Sequence, residues 1–299
     1  MLFRRSPALA DATADLVHTI ASQSCVLLLL TAFCIQADKA LCCCRYALQP
    51  DGTLDGAAVA SRPRTACAAL ASALGASVAP DAADSEADSA DTWVHLTAQA
   101  GFAGLRHDER VFEALLGAVP SGSAAALATP YCNLPAAAER ALGATAAHPL
   151  QLLTAAPEAH GFAGARGVAS VVPAAYGVME HRLLSRLSAR REGVTLREFN
   201  RPGWQFHAKG LWLWPPGDEA AAGPAATVVG SSNYGMRSAR RDVEAQLAVV
   251  TWHGGLRAAL QREWDDLAKH APPVALPQLA ARAHGVGARL AAHAARRWM

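Results

Sequence analysis

Trp204-Gln205-Phe206-His207-Ala208-Lys209-Gly210-Leu211-Trp212-Leu213-Trp214 is an apolar run broken by one histidine and one lysine two positions apart. Read as a strand, the run has period two. His207 and Lys209 then project from one face with Leu211. Phe206, Ala208, Trp212 and Trp214 project from the other and can bury. Two side chains that can carry positive charge, held side by side, call for an anion or for water. A phosphate suits them: the ammonium neutralises oxygens, while a neutral imidazole attacks phosphorus or moves a proton. A solvent-facing strand face without a task accounts for the pattern equally well.

Two neighbouring stretches shift that balance. Gly230-Ser231-Ser232-Asn233-Tyr234-Gly235 follows a short apolar strand. Small residues there let backbone N–H groups approach a ligand, and Ser231 and Asn233 add side-chain donors, although such clusters usually mean a turn. Arg240-Arg241-Asp242-Val243-Glu244-Ala245-Gln246-Leu247 alternates. Asp242, Glu244 and Gln246 share one face, and Val243, Ala245 and Leu247 the other. A carboxylate on the first face can accept the second N–H of an imidazole and fix its tautomer. A solvated acidic edge is the competing reading.

Working outward, helices are expected over Val111–Val119, Pro135–Leu142, Ala174–Arg190 and Leu256–His270, with Val178, Leu183, Leu184 and Leu187 inward in the third. Strands are expected over Ala124–Thr129, Leu150–Ala155, Trp204–Trp214, Thr227–Gly230 and Val243–Thr251, and a loop with three glycines over Gly161–Gly167. Strands alternating with helices argue for an α/β layered domain. It is placed at residues 91–275. A segment over 276–299 spaces Leu279, Val286 and Leu290 against Arg282, Arg289 and Arg296, as a packed terminal helix or one lying on an anionic membrane. Residues 73–92 are Ala-rich with Pro80, four aspartates and Glu86, and read as solvated; the linker is set at 73–90. Residues 1–72 precede it. They contain a helical apolar spacing over 8–20, an apolar Cys-rich run over 25–44 and a turn-rich stretch over 49–62.

Composition narrows the partners. The 299 residues carry a net charge of +2, from 27 basic and 25 acidic side chains, which is not the footprint of a general nucleic-acid binder. Only Lys39, Lys209 and Lys269 are lysines, so an ammonium at 209 stands out against an arginine-rich background. Seven cysteines, three of them consecutive at Cys42-Cys43-Cys44, form no paired CxxC units, so neither a structural zinc site nor a disulfide framework is expected. The longest near-continuous apolar run, Cys25–Ile35, has eleven residues; a membrane-spanning helix needs about 20. Met1-Leu2-Phe3-Arg4-Arg5-Ser6 resembles the opening of a mitochondrial presequence, against which stand Asp11 and Asp15.

Together these residues resemble the phospholipase D superfamily, whose signature is H-x-K-x4-D, then G-S-x-N, then an acidic residue eleven positions after the Asn. Here that reads His207-x-Lys209, Gly230-Ser231-x-Asn233 and Glu244. The match is nearer still to one branch, the eukaryotic CDP-diacylglycerol–glycerol-3-phosphate 3-phosphatidyltransferases. The stretches that resemble it include Pro130–Leu134, Ala156–Phe162, Gly164–Ala169, Pro173–Tyr176, Gly203–Leu213 and Arg237–Gln246. They cover about residues 91–255, with a weaker patch at Tyr46–Thr53.

The resemblance implies a phospholipase D-like mixed β-sheet flanked by helices, here one complete half plus a remnant of the preceding half. It implies transfer of a phosphatidyl group from CDP-diacylglycerol to glycerol 3-phosphate with release of CMP, no cofactor and no metal, and a place on the mitochondrial membrane surface; the near-neutral charge argues for no nucleic acid as substrate. The resemblance gives His207 the role of acid/base, Lys209 and Asn233 that of holding phosphoryl charge, and Glu244 that of orienting the imidazole. Ser231, Arg237, Arg241 and Arg166 become phosphate-binding candidates. Two departures stand out. Trp214 occupies the Asp position of the motif, and no second H-x-K exists: His18 is followed by Thr19-Ile20 and His95 by Leu96-Thr97. A homodimer pairing two His207 residues, or a missing N-terminal half, would complete the site. A catalytically silent half-domain that binds lipid or a partner, and a dimeric phosphodiesterase or nuclease, are the alternative readings.

Overall fold

The computed structural model describes residues 47–48, 54–55, 92–283 and 286–295. The readings made for residues 8–20, 25–44 and 73–90 lie outside the described residues. Within the turn-rich stretch, β1 (Ala47–Leu48) pairs antiparallel with β2 (Leu54–Asp55).

The remaining strands are β3 (Thr92–Ala100), β4 (Leu105–Arg106), β5 (Ala124–Ala128), β6 (Leu150–Ala155), β7 (Val194–Phe199), β8 (Gly210–Trp214), β9 (Ala226–Gly230), β10 (Glu244–Thr251) and β11 (Pro273–Val274). They form one nine-stranded sheet in the order β11-β7-β6-β5-β8-β9-β10-β3-β4. β5, β6 and β7 run parallel, and every other pairing is antiparallel. The helices are α1 (His107–Ala118), α2 (Ala136–Ala144), α3 (Val172–Ser188), α4 (Met236–Arg240), α5 (Gly254–Ala268), α6 (Leu276–Ala283) and α7 (Val286–Ala295). The expected α/β class and the mixed sheet flanked by helices are both observed.

β5 and β8, at the centre of the sheet, are apolar throughout, and both of their faces are covered. On one face Leu127, Leu152, Leu196, Leu211 and Leu213 pack with Phe112 and Leu116 of α1, Leu142 of α2, and Leu183 and Leu187 of α3. On the other, Ala126, Ala128, Leu153, Phe199, Trp212 and Trp214 pack with Trp264 of α5. Size alternates across the β5–β8 pair: Ala126 lies opposite Trp212, and Ala124 opposite Trp214. The small side chains of β5 leave room for the indoles of β8, as close packing requires. Gly210 does the same along its own strand, since a Cβ there would sit 2.7 Å from the Trp212 ring.

Helix ends follow local chemistry. Asp108 and Glu109 occupy the first turn of α1, where the helix dipole favours negative charge. Pro173 opens α3, where its missing N–H costs nothing. His253 caps α5 by accepting the Leu256 N–H at Nδ1, 3.2 Å away.

Several expectations need correction. The run Trp204–Trp214 is a strand only from Gly210 onward; residues 204–209 are irregular, because the Phe206 N–H turns away from the ladder to the Ala159 carbonyl at 2.9 Å. The single helix expected near the C-terminus is two, α6 and α7. Leu279 and Ala283 of α6 and Ala292 of α7 are buried, whereas Leu290 is exposed. β3, β7, β11 and α4 were not anticipated.

One buried acidic pair ties α6 to the sheet. Glu180 of α3 and Glu198 of β7 are both buried. Arg282 donates through Nη1 to both carboxylate oxygens of Glu198 at 2.6 Å. Glu180 accepts from Thr154 Oγ1 at 3.2 Å. Burial, and then the neighbouring Glu198, push Glu180 up to about 8, so it is a neutral acid at pH 7. The unfolded chain releases that proton near pH ~4.3. Between those two values the folded state binds the extra proton, so stability falls as pH rises through the window. Glu180→Gln is expected to remove this decline. Thermal unfolding should then show wild type losing more between about pH 5 and about pH 8.5 than the variant, with the variant the more stable at the upper end; parallel profiles would refute the assignment.

Candidate active site

The site lies where strand ends meet. β8 starts at Gly210, opposite Ala128 at the end of β5. β9 ends at Gly230, opposite Gln246 of β10. β10 starts at Glu244, opposite Gln99 near the end of β3. The carboxyl ends of β3, β5, β6, β7 and β9 and the amino ends of β8 and β10 therefore share one edge of the sheet. His207, Lys209, Ser231, Asn233, Arg237, Arg241 and Glu244 all lie on this edge.

His207 and Lys209 meet there, although not as neighbours on a regular strand face. The Lys209 ammonium stands 3.2 Å from His207 Nδ1 and 3.1 Å from the His207 carbonyl oxygen, to which it donates. His207 is exposed and Lys209 half-buried. Partial burial, then the Lys209 charge, hold the imidazole below its ordinary value. Partial burial also lowers Lys209, and the nearby Glu244 opposes that shift. At neutral pH the pair is therefore a neutral imidazole beside an ammonium, the charge state suited to an anionic phosphoryl group.

The loop after β9 is pinned on several sides. The Thr129 hydroxyl donates to the Asn233 carbonyl at 2.7 Å, and the Asn233 N–H donates to Ser238 Oγ at 3.1 Å. Tyr234 has φ 53°, a left-handed conformation unusual for a bulky residue. It is held by burial of its ring against Phe112, 5.2 Å between centroids. Strain of this kind persists only where packing over-determines it. Asn233 Oδ1 is shielded from solvent and has no hydrogen-bond partner.

Glu244 is buried, and burial raises it. Its carboxylate accepts from the Ser231 hydroxyl at 2.5 Å. The structure thus brings Glu244 to Ser231 and within charge range of Lys209, rather than into a hydrogen bond with His207. The Ser231 hydroxyl is committed to Glu244 and to β10. Arg237 pairs with Asp242 at 2.9 Å. Arg241 is exposed beside it, and Arg166 is exposed on the loop after β6. Trp214 is buried, its indole N–H donating to Gln261 at 2.6 Å. Cys132 is buried, and burial raises its thiol far out of the reactive range.

Sequence reasoning missed the support beneath this loop. Glu244, Gln246, Thr97 and Gln99 form the inward polar face of β10 and β3, and Asp108 of α1 covers it. Asp108 accepts from Thr97 at 3.3 Å and from the Gln246 amide, and also from Ser232 of the loop. The Gln99 amide donates to Glu109 at 2.8 Å and to the Ala239 carbonyl at 3.0 Å. The alternation of residues 242–247 was the available signal, but its polar face is the buried one. His160, in the loop after β6, was also missed as a buried group. Its Nδ1 accepts the Phe162 N–H at 3.2 Å, its ring packs on Tyr131 and Tyr176, and burial lowers it to about 4. Among the described residues no group of three or more His, Cys, Asp or Glu side chains is gathered as metal ligands.

These features define a class: a mixed-sheet α/β domain with a histidine–lysine pair and a Gly-Ser-Ser-Asn loop at one sheet edge. No family model matches the chain. The fold is shared with the phosphatidylserine synthase of Haemophilus influenzae Rd KW20, at a TM-score of 0.55 and 16% identity over 69% of this chain and 46% of that one. In sequence, the chain is 40% identical over 180 residues to the mitochondrial CDP-diacylglycerol–glycerol-3-phosphate 3-phosphatidyltransferase of Gallus gallus, and 41% to that of Homo sapiens. The Saccharomyces cerevisiae protein of the same name is 35% identical over 156 residues. The resemblance drawn from the motifs is thereby borne out. The first two matches cover 59% of this chain and 31% and 32% of those proteins, so the chain spans about a third of the length of the curated relatives it matches.

Two outcomes test the site. Removing the ammonium in Lys209→Ala is expected to raise the His207 pKa toward its ordinary value, read from the imidazole proton shifts across a pH titration; an unchanged or lower value would contradict the pairing. Gly230→Ala is expected to cost about 1–3 kcal/mol in denaturant unfolding, because its Cβ would lie 2.3 Å from the Ala245 carbonyl oxygen and 2.6 Å from Gln246 Cα. Gly254→Ala, with nothing within 4 Å, is the control and should cost nothing measurable.

Proposed function

We propose that this chain carries one half of the active site of a phosphatidyltransferase acting on CDP-diacylglycerol and glycerol 3-phosphate. The single observation that carries the reading is the juxtaposition of His207, Lys209 and the Asn233 loop, within a sequence about 40% identical to enzymes of that name. An imidazole attacks the phosphatidyl phosphorus, a P–N bond forms and the P–O bond to CMP breaks. The glycerol 3-phosphate hydroxyl then attacks the same phosphorus, the P–N bond breaks, and its proton passes to a base. His207 is the acid/base in this scheme. As a neutral imidazole it takes the acceptor hydroxyl's proton in the second step, while CMP leaves in the first step as its phosphate anion beside the Lys209 ammonium. Lys209 and the Asn233 amide hold the charge that gathers on the phosphoryl oxygens.

Glu244 acts in this scheme through Lys209 and Ser231, keeping the ammonium charged and the loop in place. Arg237, Arg241 and Arg166 flank the approach and suit substrate phosphates. The nucleophilic imidazole comes from a second HxK motif, supplied by a partner copy or by a preceding half-domain. The relatives named mitochondrial support a mitochondrial place. No helix among the described residues is long and apolar enough to cross a membrane, which is compatible with binding at its surface.

The test follows CMP release from CDP-diacylglycerol and glycerol 3-phosphate. His207→Ala is expected to lower release by roughly 10²–10⁴-fold, the usual contribution of a positioned acid/base. Release unchanged in a folded His207→Ala protein would remove the assignment.

A further inference from the structure

The loops that surround the histidine–lysine pair expose large apolar side chains. Phe162 follows β6, Val171 precedes α3 and Trp204 follows β7; they are 41%, 41% and 38% exposed. β6 and β7 are adjacent and parallel, so these loops leave the same edge of the sheet side by side. The Phe206 N–H to Ala159 carbonyl bond, 2.9 Å, ties the two loops together, and the Phe162 ring lies 5.7 Å from that of His160. His207 is the next residue after the tie. The apolar side chains are therefore part of the rim of the proposed phosphoryl site.

Charge is segregated to the same edge. The loops over 157–171, 200–209 and 231–242 hold six basic residues, Arg166, Arg201, Lys209, Arg237, Arg240 and Arg241, against two acidic ones, Glu158 and Asp242. The whole chain is only +2, so the rest of it is net acidic. Arg201 stacks on Trp204, its guanidinium carbon 4.0 Å from the ring centroid. An arginine lying on an exposed indole has an apolar flat face and a charged rim, the pairing suited to the boundary between acyl chains and phosphate headgroups.

From this arrangement we infer that the Phe162–Val171–Trp204 rim inserts into the surface of an anionic phospholipid bilayer. The basic side chains of the same edge face the headgroup phosphates, and the histidine–lysine pair opens directly onto the leaflet. The inference deepens the proposed function by naming the surface through which that site meets a lipid. The apolar rim supplies burial, while the arginines near the surface add electrostatic attraction to an anionic leaflet.

Sedimentation of the full chain with vesicles tests this. The vesicles are phosphatidylcholine alone, or phosphatidylcholine with phosphatidylglycerol, and contain no CDP-diacylglycerol. Wild type should sediment with the anionic vesicles and be released by salt. The double variant Phe162→Ser with Trp204→Ser should lose at least fivefold in bound fraction. Trp252→Ser is the control, since Trp252 is 61% exposed but lies beyond the other end of β10; its binding should match wild type.

No binding by wild type, equal loss in the Trp252 variant, or full binding by the double variant would each overturn the inference. So would a fall in solution mass from dimer to monomer in the double variant with vesicle binding retained, which would assign the rim to a second copy of the chain. CMP release from a short-chain, water-soluble CDP-diacylglycerol reads the chemistry separately. Loss of vesicle binding with release retained supports docking and leaves the reaction standing. Binding intact with CMP release unchanged in His207→Ala removes the reaction assigned to the histidine–lysine pair and leaves docking standing.

Discussion

The antiparallel insertion of β8 between β5 and β9 is the constraint on which the rest of the structure depends. Reversing one strand beside a parallel set brings its amino end level with its neighbours' carboxyl ends. The residues just before Gly210 then meet those just after Ala128 and Gly230. Those three positions lead into Lys209, Thr129 and Ser231. Three pieces of chain separated by up to about a hundred residues are thus fixed at one end of the sheet, two of them joined by the Thr129–Asn233 bond. Packing makes the insertion specific. The indoles of Trp212 and Trp214 fit over Ala126 and Ala124, and a slip of one residue would turn them to the other face.

A second layer of control comes from burying polar groups rather than apolar ones. Asp108, Thr97, Gln246 and Ser232 are buried and hydrogen-bonded in one network, and buried Glu244 beside them is held by Ser231. Such a network rigidifies its surroundings when satisfied and is costly when broken. It sits directly under the loop that carries Asn233, so α1, β3 and β10 jointly decide where that loop lies. Burial also sets charge: it raises Asp108 and Glu244 and lowers Lys209. The exposed surface above this layer is basic, and the acidic groups lie beneath it. A phosphoryl group at the edge would meet an ammonium and a neutral imidazole first.

The chemistry proposed for this edge needs two imidazoles, and the described residues contribute one in the required HxK setting. This makes the edge an open half of a site, flanked by exposed apolar residues on the β6 and β7 loops. Exposed apolar patches rimmed by polar residues mark interaction surfaces. The same physical fact, incomplete burial at one end of the sheet, therefore underlies both the proposed second imidazole and the proposed lipid contact.

Much was legible in the sequence because it depended on local order. The strands at Leu150–Ala155 and Thr227–Gly230 and the helices beginning near Val111 and Ala174 follow from apolar period and punctuation, and the HxK and GSSN spacing pointed to phosphate chemistry. What sequence could not supply was which polar face would be covered. Val194-Thr195-Leu196-Arg197-Glu198-Phe199 looks too charged for an inner strand, yet Glu198 is buried because Arg282 arrives from α6. Glu244 and Gln246 look like a solvated edge, yet α1 closes over them with Asp108. Residues 204–209 have strand periodicity, but the Phe206 N–H is drawn to Ala159, so His207 and Lys209 meet through a local bend rather than a pleat. The sequence by itself determined most of the central strands and flanking helices and the chemistry-bearing residues, since these are set by neighbours along the chain. Only the tertiary structure decided burial, charge state and convergence, because these depend on partners that are distant in sequence.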